Sequence, residues 1–173
     1  MAPGGYAWAF PKGEGKANVG LGVQADLAAD SALNYLDRFI ESQPHLAQGG
    51  VLSLSKGSPV TLVVGGVPVG PPLSRLVASG LMLVGDAARQ VDPLTGGGIA
   101  NAMIAGRLAA EVAAQAIAAG DTSAEALALY EKRWMAGRGR KMARNYRLKE
   151  HFGADEQTSP DFLRVFTVAV GGI

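Results

Sequence analysis

Between residues 81 and 99 the sequence places a short apolar run, an acidic turn and a glycine-rich stretch, directly before a long helical pattern. Residues 81–84 predict a short buried strand, Gly85 and Asp86 follow it, and three consecutive glycines precede Ile99. A carboxylate at the end of a strand can accept hydrogen bonds from ribose hydroxyls. Glycines let the backbone amides at a helix start approach an anionic or polarised group. A nucleotide or flavin site requires elements in this order.

An ordinary turn is the competing interpretation of Gly85 and Asp86, because Asp favours positions that cap the following residues. The triple glycine favours a binding site. An Asp that only caps a turn does not require a second stretch nearby whose backbone amides can bind an anion. The combination of the two pieces therefore favours a site, although each piece alone has a structural explanation.

Two common phosphate-binding signatures are excluded by the residues around the glycines. Residues 96–98 are followed by Ile99 and Ala100 rather than by Lys and Ser or Thr, so this is not a P-loop. The stretch from Gly20 to Gly22 lacks a third glycine and a following helix, so it is not a dinucleotide fingerprint. The pyrophosphate of a dinucleotide bound at this site would rest mainly on residues outside this chain.

Composition limits the class of protein. With 173 residues, 48% of them hydrophobic, the chain can bury one substantial core in one domain or in two incomplete ones. The lack of Cys excludes disulfides, thiolate metal sites and a cysteine nucleophile, and it suggests a reducing compartment. No signal-peptide pattern is visible, and the most apolar helical pattern carries Arg107 and Glu111 near its middle. We therefore expect a cytoplasmic protein.

Alternating apolar residues predict a β-hairpin in the first part of the chain, with strands at residues 6–10 and 17–23 and a loop at 11–15. Residues 30–40 predict an amphipathic helix that begins behind an Asp-Ser cap. Strand character returns at residues 51–55 and 60–69. This part of the chain is therefore expected to form an antiparallel sheet with one helix.

Helical patterns dominate the rest of the sequence. Residues 99–119 predict a long helix, and we expect it to pack through a narrow face of mostly small residues, namely Ile99, Met103, Gly106, Ala110, Ala113 and Ile117. Residues 120–123 are expected to end that helix and cap the next one. A further helical region over 124–152 is interrupted by Gly137 and Gly139, and a short final helix starts at Ser159.

Positive charge is concentrated in residues 132–149, which contain eight basic residues and no acidic ones. These are Lys132, Arg133, Arg138, Arg140, Lys141, Arg144, Arg147 and Lys149. Such a stretch can bind nucleic acid or an anionic membrane surface. The sequence favours instead a solvated face or one that meets acidic surface, so nucleic acid is disfavoured and a peripheral membrane contact stays open. His45 and His151 lie far apart, so neither a metal site nor a Ser-His-Asp triad is expected.

Two motifs together resemble the geranylgeranyl reductase family, which are flavoproteins with an aromatic-hydroxylase-like FAD fold. The first is Tyr6-Ala-Trp-Ala-Phe-Pro-Lys-Gly13. The second combines Gly85-Asp-Ala-Ala88 with Pro93-Leu-Thr-Gly-Gly-Gly-Ile99. The two motifs enclose residues 6–99, and they follow each other in the order that the family shows.

The resemblance implies an α+β fold in three parts, namely part of a substrate-binding sheet domain at 1–76, the C-terminal segment of an FAD-binding domain at 77–120 and a helical C-terminal region at 121–173. It also implies FAD as cofactor, in a site that this chain supplies only in part. Its cofactor-binding residues would be Gly85, Asp86, Pro93, Gly96, Gly97, Gly98 and Ile99. Backbone amides and a helix dipole suit the negative charge that a reduced flavin carries.

The aromatic strand would line the cavity for an isoprenoid or prenyl-lipid substrate, through Tyr6, Trp8, Phe10 and Pro11. A structural explanation competes with this role, because alternating aromatic residues commonly form the core face of a strand. The resemblance implies an enzyme that hydrogenates carbon–carbon double bonds of isoprenoid chains, with no catalytic residue identified. The basic residues could then hold the head group of a phosphate-bearing lipid.

The family's first half, with its glycine fingerprint, has no counterpart in this sequence. We therefore expect a C-terminal portion of the enzyme, as a fragment, a shortened reading frame or one piece of a split enzyme whose other half is a separate chain. Such a portion is expected to be inactive alone. Two alternatives remain open: a related FAD-dependent monooxygenase or halogenase, and a non-catalytic fragment that binds no flavin.

Overall fold

The computed structural model describes residues 2–14, 16–43 and 61–152. It divides the chain into two compact units, a first unit up to Val64 and a second unit from Gly65 onward. Both helices and small antiparallel sheets are present, so the predicted mixture of α and β structure is confirmed. The division into three functional parts and the completion of an FAD-binding domain stay predictions.

The first unit contains an antiparallel hairpin of strands β1 (Tyr6–Gly13) and β2 (Lys16–Gly22). The predicted hairpin is confirmed, but the loop expected at residues 11–15 is wrong in extent. Strand β1 continues through Pro11, which lies opposite Ala17, and an irregularity in register follows it before Gly13. Among the described strands β1 pairs with β2 alone, and a strand at a sheet edge tolerates a proline that has no N–H to donate.

Helix α1 (Ala32–Glu41) follows the hairpin and confirms the amphipathic helix. Its N-cap is Ser31, whose hydroxyl accepts a hydrogen bond from the Asn34 amide at 3.1 Å. Asp30 accepts from both Asn34 and Arg38, which ties the first two turns of the helix to its cap. The predicted cap and the predicted helix therefore agree with the structure.

The strand predicted at residues 60–69 is wrong over residues 61–69, which have no regular secondary structure. Val63 is 87% exposed and Val64 is 76% exposed, although both were expected to belong to a strand. A strand needs a neighbour for its backbone N–H and C=O groups, and none of the described strands pairs with this stretch. The strand predicted at 51–55, His45 and the helix predicted at Ser159 lie outside the described residues.

The second unit begins its regular structure with strands β3 (Val77–Ala78) and β4 (Leu81–Met82), which pair antiparallel. The predicted strand at 81–84 therefore forms only in its first half. Its predicted burial is also wrong, since Leu81 is 50% exposed and Val84 is 38% exposed. A 3₁₀ turn over Gly85–Ala88 comes next.

Three helices complete the second unit: α2 (Ile99–Ala119), α3 (Ala124–Trp134) and α4 (Arg140–Phe152). Helix α2 ends at Gly120, whose φ of +69° is the left-handed conformation that glycine favours. Ser123 caps α3 by accepting the Ala126 amide at 3.2 Å. A π-helical turn over Met135–Gly139 separates α3 from α4. The predicted helix stop, cap and interruption are all confirmed.

The core of the second unit forms where α2 and α3 pack together over β3 and the 3₁₀ turn. The small-residue face predicted for α2 is wrong, because Ile99, Met103 and Ile117 are 83%, 72% and 70% exposed. The buried face consists of other residues at helical spacing, namely Asn101, Ala105, Ala109, Val112 and Ala116. The exposed charged pair Arg107 and Glu111 lies on the side of α2 away from this stripe, so it was the sequence signal for the exposed side of the helix.

Of the described helices, α2 alone is long and apolar enough to cross a membrane, with a mean hydropathy of 1.3. The core helix of a folded unit has the same properties. Helix α2 also carries the charged pair Arg107 and Glu111 near its middle, with 3.9 Å between guanidinium and carboxylate. We therefore treat α2 as a packing helix.

Candidate functional site

The turn after β4 places Gly85 in the left-handed region, with φ of +65°. Its amide donates a hydrogen bond to Oε1 of Gln90 at 2.7 Å, and the Gln90 amide donates to the Gly85 carbonyl at 3.0 Å. Gln90 is 1% exposed. A buried side chain therefore holds the backbone at the residue directly before Asp86.

Tyr130 on α3 completes this buried network. Its hydroxyl accepts from Nε2 of Gln90 at 2.7 Å and donates to the Leu83 carbonyl at 2.9 Å. Burial raises the pKa of the Tyr130 phenol, Glu131 acts in the same direction, and the hydrogen bond from Gln90 lowers it. Gln90 and Tyr130 were not among the predicted site residues, and the available signal was an uncharged polar residue four positions after Asp86.

The glycine-rich turn is organised by Asp92. Oδ1 of its carboxylate accepts the Leu94 amide at 3.0 Å and the Thr95 amide at 3.3 Å. The backbone of Asp92 pairs with the turn in both directions, accepting from the Gly96 amide at 2.8 Å and donating to the Gly97 carbonyl at 3.0 Å. Gly96 has a φ of +67°, which a side chain would make unfavourable.

Asp86 and the glycine-rich turn lie side by side. A Cβ atom added to Gly98 would be 3.4 Å from Oδ1 of Asp86 and 3.2 Å from Cγ2 of Val91. The lack of a side chain at Gly98 therefore lets the start of α2 lie directly against Val91 and the carboxylate. Asp86 is exposed, and the described part of the chain offers its carboxylate neither a hydrogen-bond donor nor a cationic partner.

Helix α2 begins at this place without a side-chain cap. Its first hydrogen bond runs from the Ala102 amide to the Gly98 carbonyl at 2.8 Å, so the amides of the first turn have no intrahelical acceptor. They carry the positive end of the helix dipole. The site can thus accept hydrogen bonds through Asp86 and donate them to an anionic or polarised oxygen through the helix start.

The other residues predicted for this site are divided between surface and interior. Gly96 and Gly97 are exposed and Ile99 is 83% exposed, whereas Pro93 is buried beneath the turn. Pro93 can therefore act by shaping the turn rather than by touching a ligand.

In the first unit, the aromatic residues of β1 form a ladder along one face. The ring centroids of Tyr6 and Trp8 are 5.8 Å apart, and those of Trp8 and Phe10 are 6.5 Å apart. The Trp8 indole covers Gly20, where an added Cβ would lie 2.1 Å from the ring, and it donates to Asn18 at 2.7 Å. Because Tyr6 is 44% and Phe10 is 59% exposed, the ladder is an accessible apolar surface rather than a core face. Pro11 is exposed at the end of the ladder.

The basic residues of 132–149 lie on the end of α3, on the π-helical turn and on α4. Of these eight side chains, Arg133 alone forms an ion pair within the described residues, with Glu111 at 3.4 Å. Arg140, Arg144 and Arg147 are exposed at spacings of four and three residues, which puts them on one face of α4. We call these three side chains the arginine stripe. Like charges at these spacings destabilise a helix unless an anion offsets them.

Comparison with known proteins gives consistent matches. A family model described as the geranylgeranyl reductase catalytic domain matches residues 1–60. A digeranylgeranylglycerophospholipid reductase from Methanothrix thermoacetophila is 51% identical over 153 residues, which are 88% of this chain and 37% of that protein. A protein of the same name from Methanoculleus marisnigri is 49% identical over 155 residues, which are 88% of this chain and 36% of that protein.

The crystal structure of a geranylgeranyl bacteriochlorophyll reductase-like protein from Thermoplasma acidophilum is also similar, with a TM-score of 0.75 and 47% identity. The similarity covers 86% of this chain and 36% of that structure. This chain thus spans a little over a third of the length of the relatives that it matches.

Proposed function

This chain belongs to the geranylgeranyl reductase family, and we propose that it forms one portion of an FAD-dependent reductase that hydrogenates carbon–carbon double bonds of isoprenoid chains. The proposed substrate class is that of the relatives, whose names specify a digeranylgeranyl glycerophospholipid. Because the chain spans a little over a third of those relatives, the complete activity requires residues outside this chain.

One observation carries the flavin part of this proposal, namely the close approach of Gly98, at the start of α2, to the Asp86 carboxylate. FAD, when bound and reduced, supplies the hydride equivalent that saturation of a double bond requires. In this chain, Asp86 would accept hydrogen bonds from hydroxyls of the cofactor, and Gly98 and Ile99 would present backbone amides. The Gly97 amide donates instead to Oγ1 of Thr95 at 3.2 Å. Such amides favour negative charge without reorganising.

The aromatic ladder supports the substrate part. Tyr6, Trp8 and Phe10 present accessible rings on one face of a strand, which suits a flexible apolar chain that must be kept from water. We propose that these rings and Pro11 line the isoprenoid site.

Titration of the 173-residue chain with FAD, followed by flavin fluorescence, tests the cofactor role. The variant Asp86→Ala removes a charge-assisted hydrogen bond of about 1.5–3 kcal/mol, so the Kd should rise about 10- to 150-fold. The matched control is Asp37→Ala, which removes an exposed carboxylate from α1 and should leave the Kd unchanged. An equal effect of both variants would contradict the assignment of Asp86.

The same titration tests one rival function, and turnover of the complete enzyme tests the other. A colourless chain without saturable FAD binding would favour the non-catalytic fragment. A monooxygenase or halogenase would share Asp86 and the glycine turn, but the complete enzyme would need oxygen for turnover, whereas a reductase turns over without it.

We also propose that the protein is cytoplasmic and contacts the membrane peripherally through residues 132–149. The arginine stripe supports this proposal, because guanidinium groups bind phosphate well and no described acidic residue pairs with these three. A phospholipid substrate would be reached at the same surface.

A further inference from the structure

We infer that Asn145 on α4 is a positioning residue, which holds the glycine-rich turn in its binding conformation through the Asp92 carboxylate. The inference extends the proposed function, because the turn is part of the proposed flavin site. Helix α4 would thus help to build the flavin site, although none of its residues is proposed to contact the cofactor.

The contact joins two groups that are distant in the sequence. Nδ2 of Asn145 donates to Oδ2 of Asp92 at 2.7 Å, and Asn145 is 0% exposed. The other carboxylate oxygen of Asp92 already accepts the amides of Leu94 and Thr95 inside the turn. One carboxylate therefore ties the turn to itself through Oδ1 and to α4 through Oδ2.

A second contact connects the same three elements. Asn101, in the first turn of α2, donates through Nδ2 to the Gly97 carbonyl at 3.3 Å and lies 3.6 Å from the Met142 sulfur. Met142 is one helical turn before Asn145 on α4. The turn, the start of α2 and α4 thus meet at a buried polar junction beneath the exposed glycines.

The geometry explains why α4 bears a buried Asn at this position. A buried amide is stabilising only if its hydrogen bonds are satisfied, and Asn145 uses Nδ2 toward Asp92 and Oδ1 toward the Arg144 guanidinium at 3.3 Å. Without Asn145, Oδ2 of Asp92 would lose its buried donor, and the carboxylate could turn away from the amides that it holds. The half-buried Gly98 amide at the start of α2 would then lose its fixed direction.

A swap of the two side chains tests this role. Asn145→Asp places a second carboxylate at the 2.7 Å contact with Asp92, so the hydrogen bond between the two side chains should be lost. The double variant Asp92→Asn/Asn145→Asp restores this hydrogen bond in reverse, because the new amide can donate to the new carboxylate while its oxygen still accepts the turn amides. The matched control Gln115→Glu makes the same amide-to-acid change on the exposed face of α2.

The readout is amide hydrogen exchange of Leu94 and Thr95, measured by NMR on the 173-residue chain without FAD. We expect exchange at these amides to be at least tenfold faster in Asn145→Asp, near the wild-type rate in the double variant and unchanged in Gln115→Glu. Unchanged exchange in Asn145→Asp, or a double variant no better than the single one, would overturn the inference. If Asn145→Asp unfolds the chain, recovery of the circular dichroism melt in the double variant supports the inference and its failure contradicts it.

This experiment is independent of the proposed function. Rescue by the swap, together with an Asp86→Ala variant of the complete enzyme that keeps the wild-type Kd for FAD, would keep the positioning role and refute the flavin site. Saturable FAD binding that depends on Asp86 but is unchanged in Asn145→Asp would keep the flavin site and refute the positioning role.

Discussion

The hydroxyl of Tyr130 makes two buried hydrogen bonds, and removing it measures how much they contribute to the free energy of unfolding. Tyr130→Phe leaves the Leu83 carbonyl and the Gln90 amide without partners, which should lower the free energy of unfolding by about 1–3 kcal/mol at neutral pH. Thermal or denaturant unfolding of the 173-residue chain measures this loss.

The same residue predicts how stability changes in alkali. Because burial raises the pKa of Tyr130 in the folded chain, its contribution is complete below the unfolded-state pKa of about 10 and is lost as pH rises through the folded pKa. Wild-type stability should therefore fall more steeply than that of Tyr130→Phe above about pH 10. Parallel pH profiles of the two proteins would contradict this explanation.

Residues with local roles were predictable, and residues with distant partners were not. Asp86 and the glycines stand out because turns and helix starts have local signatures. Gln90 and Asn145 do not, since their roles depend on Tyr130 and Asp92, which are 40 and 53 positions away. A sequence pattern shows a buried polar residue as an exception, but it does not show which group satisfies it.

At the scale of helices and strands, the capping residues were predicted better than the buried faces. Ser31, Ser123 and Gly120 are found where local rules put them, because a cap depends on the few residues around it. The strand expected at 61–69 was wrong because a strand depends on a neighbour to pair with. The buried face predicted for α2 was also wrong, although the charged pair Arg107 and Glu111 marks the exposed side of that helix.

Two glycines in the helical region should respond to alanine in opposite directions. An added Cβ at Gly106 on α2 meets nothing within 4 Å, so Gly106→Ala should stabilise the chain by about 0.5–1 kcal/mol through better helix propensity. At Gly139 an added Cβ would lie 2.7 Å from the Met135 sulfur and 2.8 Å from the Trp134 ring, so Gly139→Ala should destabilise it. Melting temperatures of the two variants test the pair, and shifts of the same sign would contradict it.

For the whole molecule, charge is separated along the chain. The net charge is +1, yet residues 132–149 hold half of the basic residues and leave the rest of the chain acidic. The surface formed by this basic segment therefore has a positive electrostatic potential, which attracts anions. The exposed arginine stripe is the observation that supports an anionic lipid surface as the partner that we propose.

Sedimentation with vesicles tests that partner. The chain should bind vesicles that contain phosphatidylglycerol more tightly than neutral phosphatidylcholine vesicles, and added salt should weaken the binding. Arg140→Gln/Arg147→Gln removes two charges worth about 1 kcal/mol each near an anionic surface, so the partition coefficient should fall about 30-fold.

The control for this measurement removes the same charge elsewhere. Lys12→Gln/Arg75→Gln neutralises two exposed basic residues outside 132–149 and should change vesicle binding far less than the arginine variant. Equal losses in both double variants would mean that net charge alone drives binding, and equal affinity for neutral vesicles would exclude an electrostatic contact. Tighter binding to a nucleic acid duplex than to anionic vesicles would reassign the stripe, because phosphate is common to both surfaces and only the preferred partner separates them.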